Sequence, residues 1–142
     1  MAFLDTSALI YLIEGHESLA AVVRGQLKDL AARHDGLGVA LSRLTWLEAR
    51  VGPMKANDAS ILQRHDSLFT RPDMRWVELT REVEELAAAV RVRHGLRTSD
   101  SLQVACCLQF GPGHELLTGD AGFQRVVGLN VVLLQDSNRT KA

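Results

Sequence analysis

Short apolar runs alternate along the chain with longer segments in which apolar positions recur every three or four residues. The short runs have the length of strands and lie at residues 2–4, 39–41, 76–79, 116–118 and 131–134. The spacing in the longer segments predicts amphipathic helices. Strands that alternate with helices predict an α/β fold in which helices cover both faces of a parallel sheet.

Capping residues and helix breakers predict where these helices begin and end. Thr6 and Ser7 open the first helix after Asp5, and Ser18 is predicted to cap the second. Gly52-Pro53 is predicted to stop the helix that begins near Ser42. Further along, the pattern predicts a helix over about 57–69, Thr80 as an N-cap, Gly95 as a C-cap, and a buried helix over 101–110.

The length of 142 residues favours a single domain, and we expect it to span residues 1–135, with 136–142 as a C-terminal tail. The N-terminus lacks the features of a signal peptide, and no run approaches the roughly 20 apolar residues of a membrane span. The adjacent Cys106 and Cys107 lie in an apolar segment, which is typical of small core residues in a reduced protein. We therefore expect a cytoplasmic protein with no membrane contact.

Net charge gives little sign of a nucleic-acid ligand, because it is only −1 at neutral pH. Arginine outnumbers lysine among the cations. Arginine binds phosphate in a bidentate manner better than lysine does, which weakly favours a phosphate ligand. A genome rich in arginine codons would explain the same bias equally well.

Four acids stand where predicted strands or helix starts meet turns: Asp5, Glu48, Asp100 and Asp120. Asp5 and Asp120 follow two strands directly, Glu48 lies on the helix after the second strand, and Asp100 lies in the first turn of the buried helix. Ligands of open parallel sheets bind beyond the carboxyl ends of the strands. We therefore expect all four carboxylates to project to one edge of the sheet.

Each acid alone also has a purely structural interpretation. Asp5 is a suitable helix N-cap, and Asp100 in a first turn suits the helix dipole. Glu48 fits an exposed surface position, and Asp120 in Thr-Gly-Asp-Ala-Gly fits a turn. The metal-site hypothesis depends on the four acids coinciding at the same edge.

Gathered carboxylates require a cation or a proton. Two unit charges about 4 Å apart repel by roughly 4 kcal/mol at an effective dielectric near 20. An all-oxygen cluster without Cys or His suits Mg²⁺ or Mn²⁺ better than Zn²⁺, and the five histidines show no ligand spacing. Hydrolysis of a phosphodiester is the chemistry that such a site most often serves.

Four motifs, taken together, resemble the PIN-domain family, and within it the VapC-like toxins of bacterial toxin–antitoxin pairs. No single motif is specific, but they occur in order over nearly the whole chain. They are Leu4-Asp5-Thr6-Ser7, Ser42-Arg43-Leu44-Thr45-Trp46-Leu47-Glu48, Arg97-Thr98-Ser99-Asp100-Ser101-Leu102 and Thr118-Gly119-Asp120-Ala121-Gly122-Phe123.

The resemblance implies a three-layer α/β/α sandwich with a five-stranded parallel sheet in the order 3-2-1-4-5. It also implies a Mg²⁺- or Mn²⁺-dependent endoribonuclease in which the four acids bind metal, with Thr118, Thr6 and Ser7 as supporting residues. Two positions depart from the family pattern. Ser101 stands where Ala is common, and Gly122 stands where some members have a further acid, which puts a two-ion mechanism in doubt.

Partners follow from the same resemblance. We expect an RNA substrate, a small antitoxin that covers the active site, and a homodimer. Arg43, Arg97 and Arg125 flank the motifs and could contact RNA phosphates, although surface ion pairs would explain them as well. The apolar first helix could serve dimerisation or antitoxin docking, or simply pack on the sheet.

Other functions are also open at this stage. An RNA-processing PIN nuclease without an antitoxin and a non-catalytic PIN binding module remain alternatives. An aspartate-nucleophile phosphatase needs a second Asp two residues after the first, where this chain has Ser7.

Overall fold

A computed structural model describes residues 1–135, and in it five strands form one parallel sheet. The sheet order is β3-β2-β1-β4-β5, which confirms the predicted order and the α/β class. The predicted tail, residues 136–142, lies outside the described residues. The strands are β1 (Ala2–Leu4), β2 (Val39–Ser42), β3 (Met74–Val77), β4 (Glu115–Thr118) and β5 (Val131–Leu133).

Helices connect the strands and cover both faces of the sheet. They are α1 (Thr6–Ile13), α2 (Glu17–Arg33), α3 (Arg43–Lys55), α4 (Ala59–Phe69), α5 (Arg81–His94) and α6 (Thr98–Leu108), with 3₁₀ turns at Gly111–Gly113 and Ala121–Arg125. Side chains of α1 to α4 pack in one hydrophobic core, and side chains of α5 and α6 pack in a second.

Alternation along the central strand supplies both cores. In β1, Phe3 belongs to the core under α5 and α6, whereas Ala2 and Leu4 belong to the core under α1 to α4. Leu116 and Leu117 of β4 divide between the two cores in the same way. All five side chains are at most 1% exposed, and full burial of one large apolar side chain stabilises the fold by about 1.5–3 kcal/mol.

The strand order places a topological switch point between β1 and β4. The chain leaves β1 toward β2 and β3 on one side, whereas β4 and β5 lie on the other. Adjacent parallel strands that lead away in opposite directions leave a crevice at their carboxyl ends, and ligands bind there. Asp5 follows β1 directly, and Asp120 lies two residues beyond β4.

Side-chain caps fix several helix starts as the sequence predicts. The Ser42 hydroxyl accepts a hydrogen bond from the Thr45 amide at 3.2 Å, and Thr80 accepts one from the Val83 amide at the same distance. Gly95 ends α5 in the left-handed conformation with φ of 66°, which a residue with a Cβ adopts at a cost.

Four predicted boundaries are wrong. Helix α2 begins at Glu17 with His16 at the N-cap, so Ser18 lies inside the first turn rather than capping it. Gly52-Pro53 does not stop α3, which runs on to Lys55. Pro53 is buried within the last turn of the helix, where its missing amide forfeits only one hydrogen bond.

The third error concerns α6, which spans Thr98–Leu108 rather than 101–110. The fourth concerns β3, which spans Met74–Val77 rather than 76–79. Its register with β2 explains the shift, because Val39 pairs with Met74 and Ser42 with Val77. Pairing with a neighbouring strand therefore overrides the local alternation that predicted the later start.

Both cysteines lie in the core on α6, as predicted. Burial raises the pKa of the Cys106 thiol to about 12, and it also raises the pKa of Cys107. These thiols are therefore inert at neutral pH. Among the helices of residues 1–135, none has the length and apolar character needed to cross a bilayer.

Candidate metal site

Asp5 lies at the carboxyl end of β1, where both of its carboxylate oxygens are held by hydrogen bonds. Oδ1 accepts from the Ala8 amide at 2.9 Å and from the Ser7 hydroxyl at 2.6 Å. Oδ2 accepts from the Thr118 hydroxyl at 2.5 Å. Asp5 thus caps α1, as its structural interpretation holds, and at the same time points a buried carboxylate toward β4.

Burial sets the electrostatics of Asp5. Desolvation raises the pKa of this carboxyl above its ordinary value, and the nearby charge of Asp100 adds to the rise, although the three hydrogen bonds oppose it. The side chain is only 5% exposed. Burial therefore works against the ionised form of Asp5, and a positive charge close by would favour that form.

Two hydroxyl groups join the end of β1 to the end of β4. The Thr118 hydroxyl donates to Asp5 and accepts from the Asp120 amide at 3.0 Å. The Ser7 hydroxyl likewise donates to Asp5 and accepts from the Gly119 amide at 2.9 Å. These bonds place Thr118 and Ser7, both predicted as supporting residues, where they fix the turn that carries Asp120.

Asp120 lies on the exposed side of the same turn. Its Oδ1 accepts from the Gly122 amide at 2.8 Å and so caps the 3₁₀ turn that follows. Gly119, just before it, packs against the Tyr11 ring, and a Cβ at this position would collide with that ring. The absence of a side chain at Gly119 therefore lets the turn lie close to α1.

Glu48 reaches the site from α3. Its Oε1 accepts a hydrogen bond of 2.6 Å from the Thr6 hydroxyl, and Thr6 Oγ1 is also 3.3 Å from Thr45 Oγ1. The side chain is partly buried, so the purely exposed interpretation of Glu48 does not describe its surroundings. Thr6, the third predicted supporting residue, orients this acid rather than Asp5.

Asp100 lies in the first turn of α6, where its Oδ2 is 3.3 Å from Arg97 Nε. The Arg97 side chain is 81% exposed and that of Asp100 is 21% exposed. An ion pair this exposed contributes little, about 0–1 kcal/mol. Asp100 can therefore exchange this partner for another cation at small cost.

One pocket of about 270 Å³ contains all four predicted acids. Its lining also includes three hydroxyl residues and a buried amide. The lining residues are Asp5, Thr6, Ser7, Glu48, Arg97, Ser99, Asp100, Gln103, Asp120 and Phe123. Across residues 1–135, however, no three His, Cys, Asp or Glu side chains are drawn close enough to ligate one ion together. The acids share the pocket while each is held by a donor of the protein itself.

The donor set of this pocket fits a hard divalent cation. Its acids offer carboxylate oxygens and no sulfur or imidazole, which suits Mg²⁺ or Mn²⁺. Burial is the main reason that the pKa of Asp5 is raised, and the negative charge of Asp100 adds a smaller rise through repulsion. A cation among these carboxylates would relieve that repulsion.

Gln103, Thr45 and Ser42 belong to the site although they were not among the predicted site residues. The Gln103 amide lines the pocket and contacts the hydroxyls of Ser42, Thr45 and Thr6. The available signal was an amide in the apolar part of the helix, three residues after Asp100 and therefore on the same helix face.

The three arginines have different surroundings. Arg97 and Arg125 line a second pocket of about 220 Å³ that shares Asp100 and Asp120 with the first. Arg43 instead pairs with Glu78 at 3.2 Å and lies 4.7 Å from the centre of the Trp76 ring. Contacts of this kind favour a structural role for Arg43.

A three-layer α/β/α sandwich with acids at its β1–β4 crevice defines the structural class of this protein. The sequence matches the PIN domain profile over residues 2–129, and the chain belongs to the PIN domain family. No individually curated protein matches it with significant sequence similarity.

Solved structures of proteins from three organisms share its fold. VapBC2 from Rickettsia felis, bound to a DNA fragment of its promoter, has a TM-score of 0.75 at 15% identity, covering 95% of this chain and 100% of that chain. A toxin–antitoxin complex from Klebsiella pneumoniae has a TM-score of 0.69 at 23% identity, covering 96% and 99%. FitAcB from Neisseria gonorrhoeae has a TM-score of 0.68 at 20% identity, covering 92% and 96%.

Proposed function

We propose that this protein is a Mg²⁺- or Mn²⁺-dependent endoribonuclease and the toxin of a toxin–antitoxin pair. The observation that carries the proposal is the single pocket that Asp5, Glu48, Asp100 and Asp120 line at the switch point of a PIN fold. All four acids are intact, which argues against a PIN fold kept only for binding.

The residues divide the work of hydrolysis among them. Asp5 and Asp100 would hold the principal ion, and Glu48 and Asp120 would complete its surroundings. When bound, the ion would activate a water molecule and stabilise negative charge on the phosphoryl group. Glu48, oriented by Thr6, would accept the proton of the attacking water. In-line attack at phosphorus would form the new P–O bond and break the P–O3′ bond. The 3′ oxygen would take a proton from solvent, which leaves a 5′-phosphate and a 3′-hydroxyl.

Arginine side chains would supply the contacts to the RNA backbone. Arg97 and Arg125 line the pocket next to the acids, where a phosphate flanking the scissile bond could reach them. Binding of RNA to Arg97 would compete with its weak pairing to Asp100. Because the net charge is only −1, RNA affinity would depend on these local cations and fall steeply with salt.

An antitoxin partner is proposed from the complexes that share the fold. Toxin–antitoxin assemblies from Rickettsia felis and Klebsiella pneumoniae both match nearly the full length of this chain. Leu9 of α1 is fully buried in the core, whereas Ile10, Leu12 and Ile13 are half-buried.

Gel filtration of the chain alone would show whether it forms the proposed homodimer. The toxin would act on RNA in the cytoplasm.

Cleavage of RNA by the purified chain tests the proposal. Wild type with Mg²⁺ or Mn²⁺ should cut RNA and leave 5′-phosphate ends, and EDTA, Asp5→Asn or Asp100→Asn should abolish the cutting. Asp73→Asn is the matched control, because Asp73 is an exposed acid paired with Arg71. Undiminished cleavage in EDTA or in either pocket variant would refute the proposal. Absence of cleavage by the wild type would favour a binding module.

A further inference from the structure

We propose that Gln103 is a positioning residue that sets the direction in which the Thr6 hydroxyl donates, and so holds Glu48 in place. The inference rests on the proposed function, because it assigns a role within the same pocket. Gln103 lies on α6 and Glu48 lies on α3. Thr6, the first residue of α1, joins them by hydrogen bonds.

Gln103 is buried, with only 3% of its surface exposed, and its amide is held at both ends. Its Oε1 accepts from the Ser42 hydroxyl at 2.9 Å. Its Nε2 donates to Thr45 Oγ1 at 2.9 Å and to Thr6 Oγ1 at 3.2 Å. An amide nitrogen carries two hydrogens, and both are used here.

This arrangement determines which way the Thr6 hydroxyl points. A hydroxyl group has one hydrogen to donate, and Thr6 Oγ1 already accepts from Gln103. Its own hydrogen is therefore free to be donated to Glu48 Oε1, 2.6 Å away. An ionised carboxylate only accepts hydrogen bonds, so this donor direction is the one that Glu48 needs.

The opposite orientation of the amide would weaken the same contact. With Oε1 facing Thr6 and Thr45, both hydroxyls would be drawn to donate to Gln103. Thr6 would then present a lone pair to the Glu48 carboxylate at 2.6 Å, which is repulsive. Ser42 keeps the observed orientation in place, because its hydroxyl accepts from the Thr45 amide and donates to Gln103.

A buried glutamine could instead serve stability alone, with each of its polar atoms hydrogen-bonded and no effect on the orientation of Glu48. The network ends on an acid of the pocket rather than within the core, and Gln103 itself lines that pocket. Partners that orient ligand side chains typically change metal affinity or activity by about 10- to 100-fold when they are altered. The two interpretations therefore predict different kinetics.

Three substitutions separate these interpretations. Gln103→Glu keeps the shape but replaces the amide donors by acceptors, so Thr6 is drawn away from Glu48. Gln103→Met keeps the volume and removes both the donor and the acceptor of the amide. Thr6→Val removes the hydroxyl that donates to Glu48 and should reproduce the effect of Gln103→Glu. Because Thr6 is only partly buried, this variant still tests the network if a substitution at the buried Gln103 impairs folding. Ser101→Ala is the control on the same helix, because Ser101 is buried and its hydroxyl has no hydrogen-bond partner.

The first measurement is the ¹³Cδ resonance of Glu48 in the metal-free protein at fixed neutral pH. The resonance, assigned with Glu48→Gln, should move in all three network variants and stay in place in Ser101→Ala. The second measurement is RNA cleavage, in which kcat should fall by about 10- to 100-fold with KM unchanged.

An unmoved Glu48 resonance in Gln103→Glu and Thr6→Val would overturn the inference. A rise of KM with unchanged kcat would overturn it as well, because an oriented reacting group affects turnover. If the wild type cleaves no RNA, the proposed function fails, and the Glu48 resonance still decides the role of Gln103.

Discussion

Thr118→Val should destabilise the protein strongly, although valine has nearly the same shape as threonine. The Thr118 side chain is fully buried, and its hydroxyl makes two bonds at the centre of the acid pocket. A hydrogen bond to a charged group contributes about 1.5–3 kcal/mol. The Asp120 amide also loses its acceptor, at about 1 kcal/mol because the amide is only partly buried.

Together these losses amount to about 3 kcal/mol, against a total stability of about 5–15 kcal/mol for a typical domain. The corresponding fall in Tm is about 6–12 °C for a chain of this size. Urea unfolding at neutral pH in EDTA measures the effect without any contribution from bound metal.

Thr118→Ser is the matched control, because it retains the hydroxyl and removes only a methyl group. It should cost clearly less than Thr118→Val. Introducing both changes, Thr118→Val and Asp5→Asn, should cost less than the sum of the single changes, since the two residues share one hydrogen bond. Equal stability of Thr118→Val and wild type would refute this account of the pocket.

Three further predictions address charge, space and phosphate binding. Folding raises the pKa of Asp5, so the protein loses stability as the pH rises through that raised pKa. Urea unfolding in EDTA should therefore show a smaller cost of Asp5→Asn at neutral pH than at acidic pH. Gly119→Ala should lower the free energy of unfolding in urea by about 1–3 kcal/mol, because the Tyr11 ring fills the space that the new methyl group needs. Gly25→Ala, at an exposed and open helix position, should raise it by about 0.4–1 kcal/mol, and equal effects of the two changes would contradict this reasoning. Arg125→Gln should lower the slope of log Kd for single-stranded RNA against log salt by about 0.7, and Arg43→Gln should leave it unchanged; the reverse result would move the RNA surface to Arg43.

Much of the fold could be predicted because local signals and tertiary packing agree. The run at residues 2–4 ends at Asp5, which is both a strand end and a helix cap in the structure. Thr80 and Gly95 bound α5 as their cap chemistry requires. Where the local pattern and the packing point the same way, the sequence alone is sufficient.

Packing explains the boundaries that could not be predicted. A proline usually ends a helix, yet Pro53 is buried and the helix continues for two residues beyond it. The start of β3 depends on its pairing with β2, which is a contact between residues about 35 positions apart. No local pattern carries that information.

For the site, residue type and position along the chain indicated the acids but not their partners. Asp5 and Asp120 could be predicted from their places after strands. The roles of Thr6 and Gln103 depend on hydrogen bonds between α1, α3 and α6, which only the folded chain brings together. Gln103 also resembles an ordinary polar residue of a helix until its burial is known.

Calorimetric titration of Mn²⁺ into the metal-free protein at neutral pH tests the central claim most directly. Wild type and Asp73→Asn should bind Mn²⁺ saturably with the same affinity, and Asp100→Asn should bind it at least about tenfold more weakly. Equal Mn²⁺ affinity in Asp100→Asn, or no binding by the wild type, would contradict the claim that these acids form a divalent-metal site.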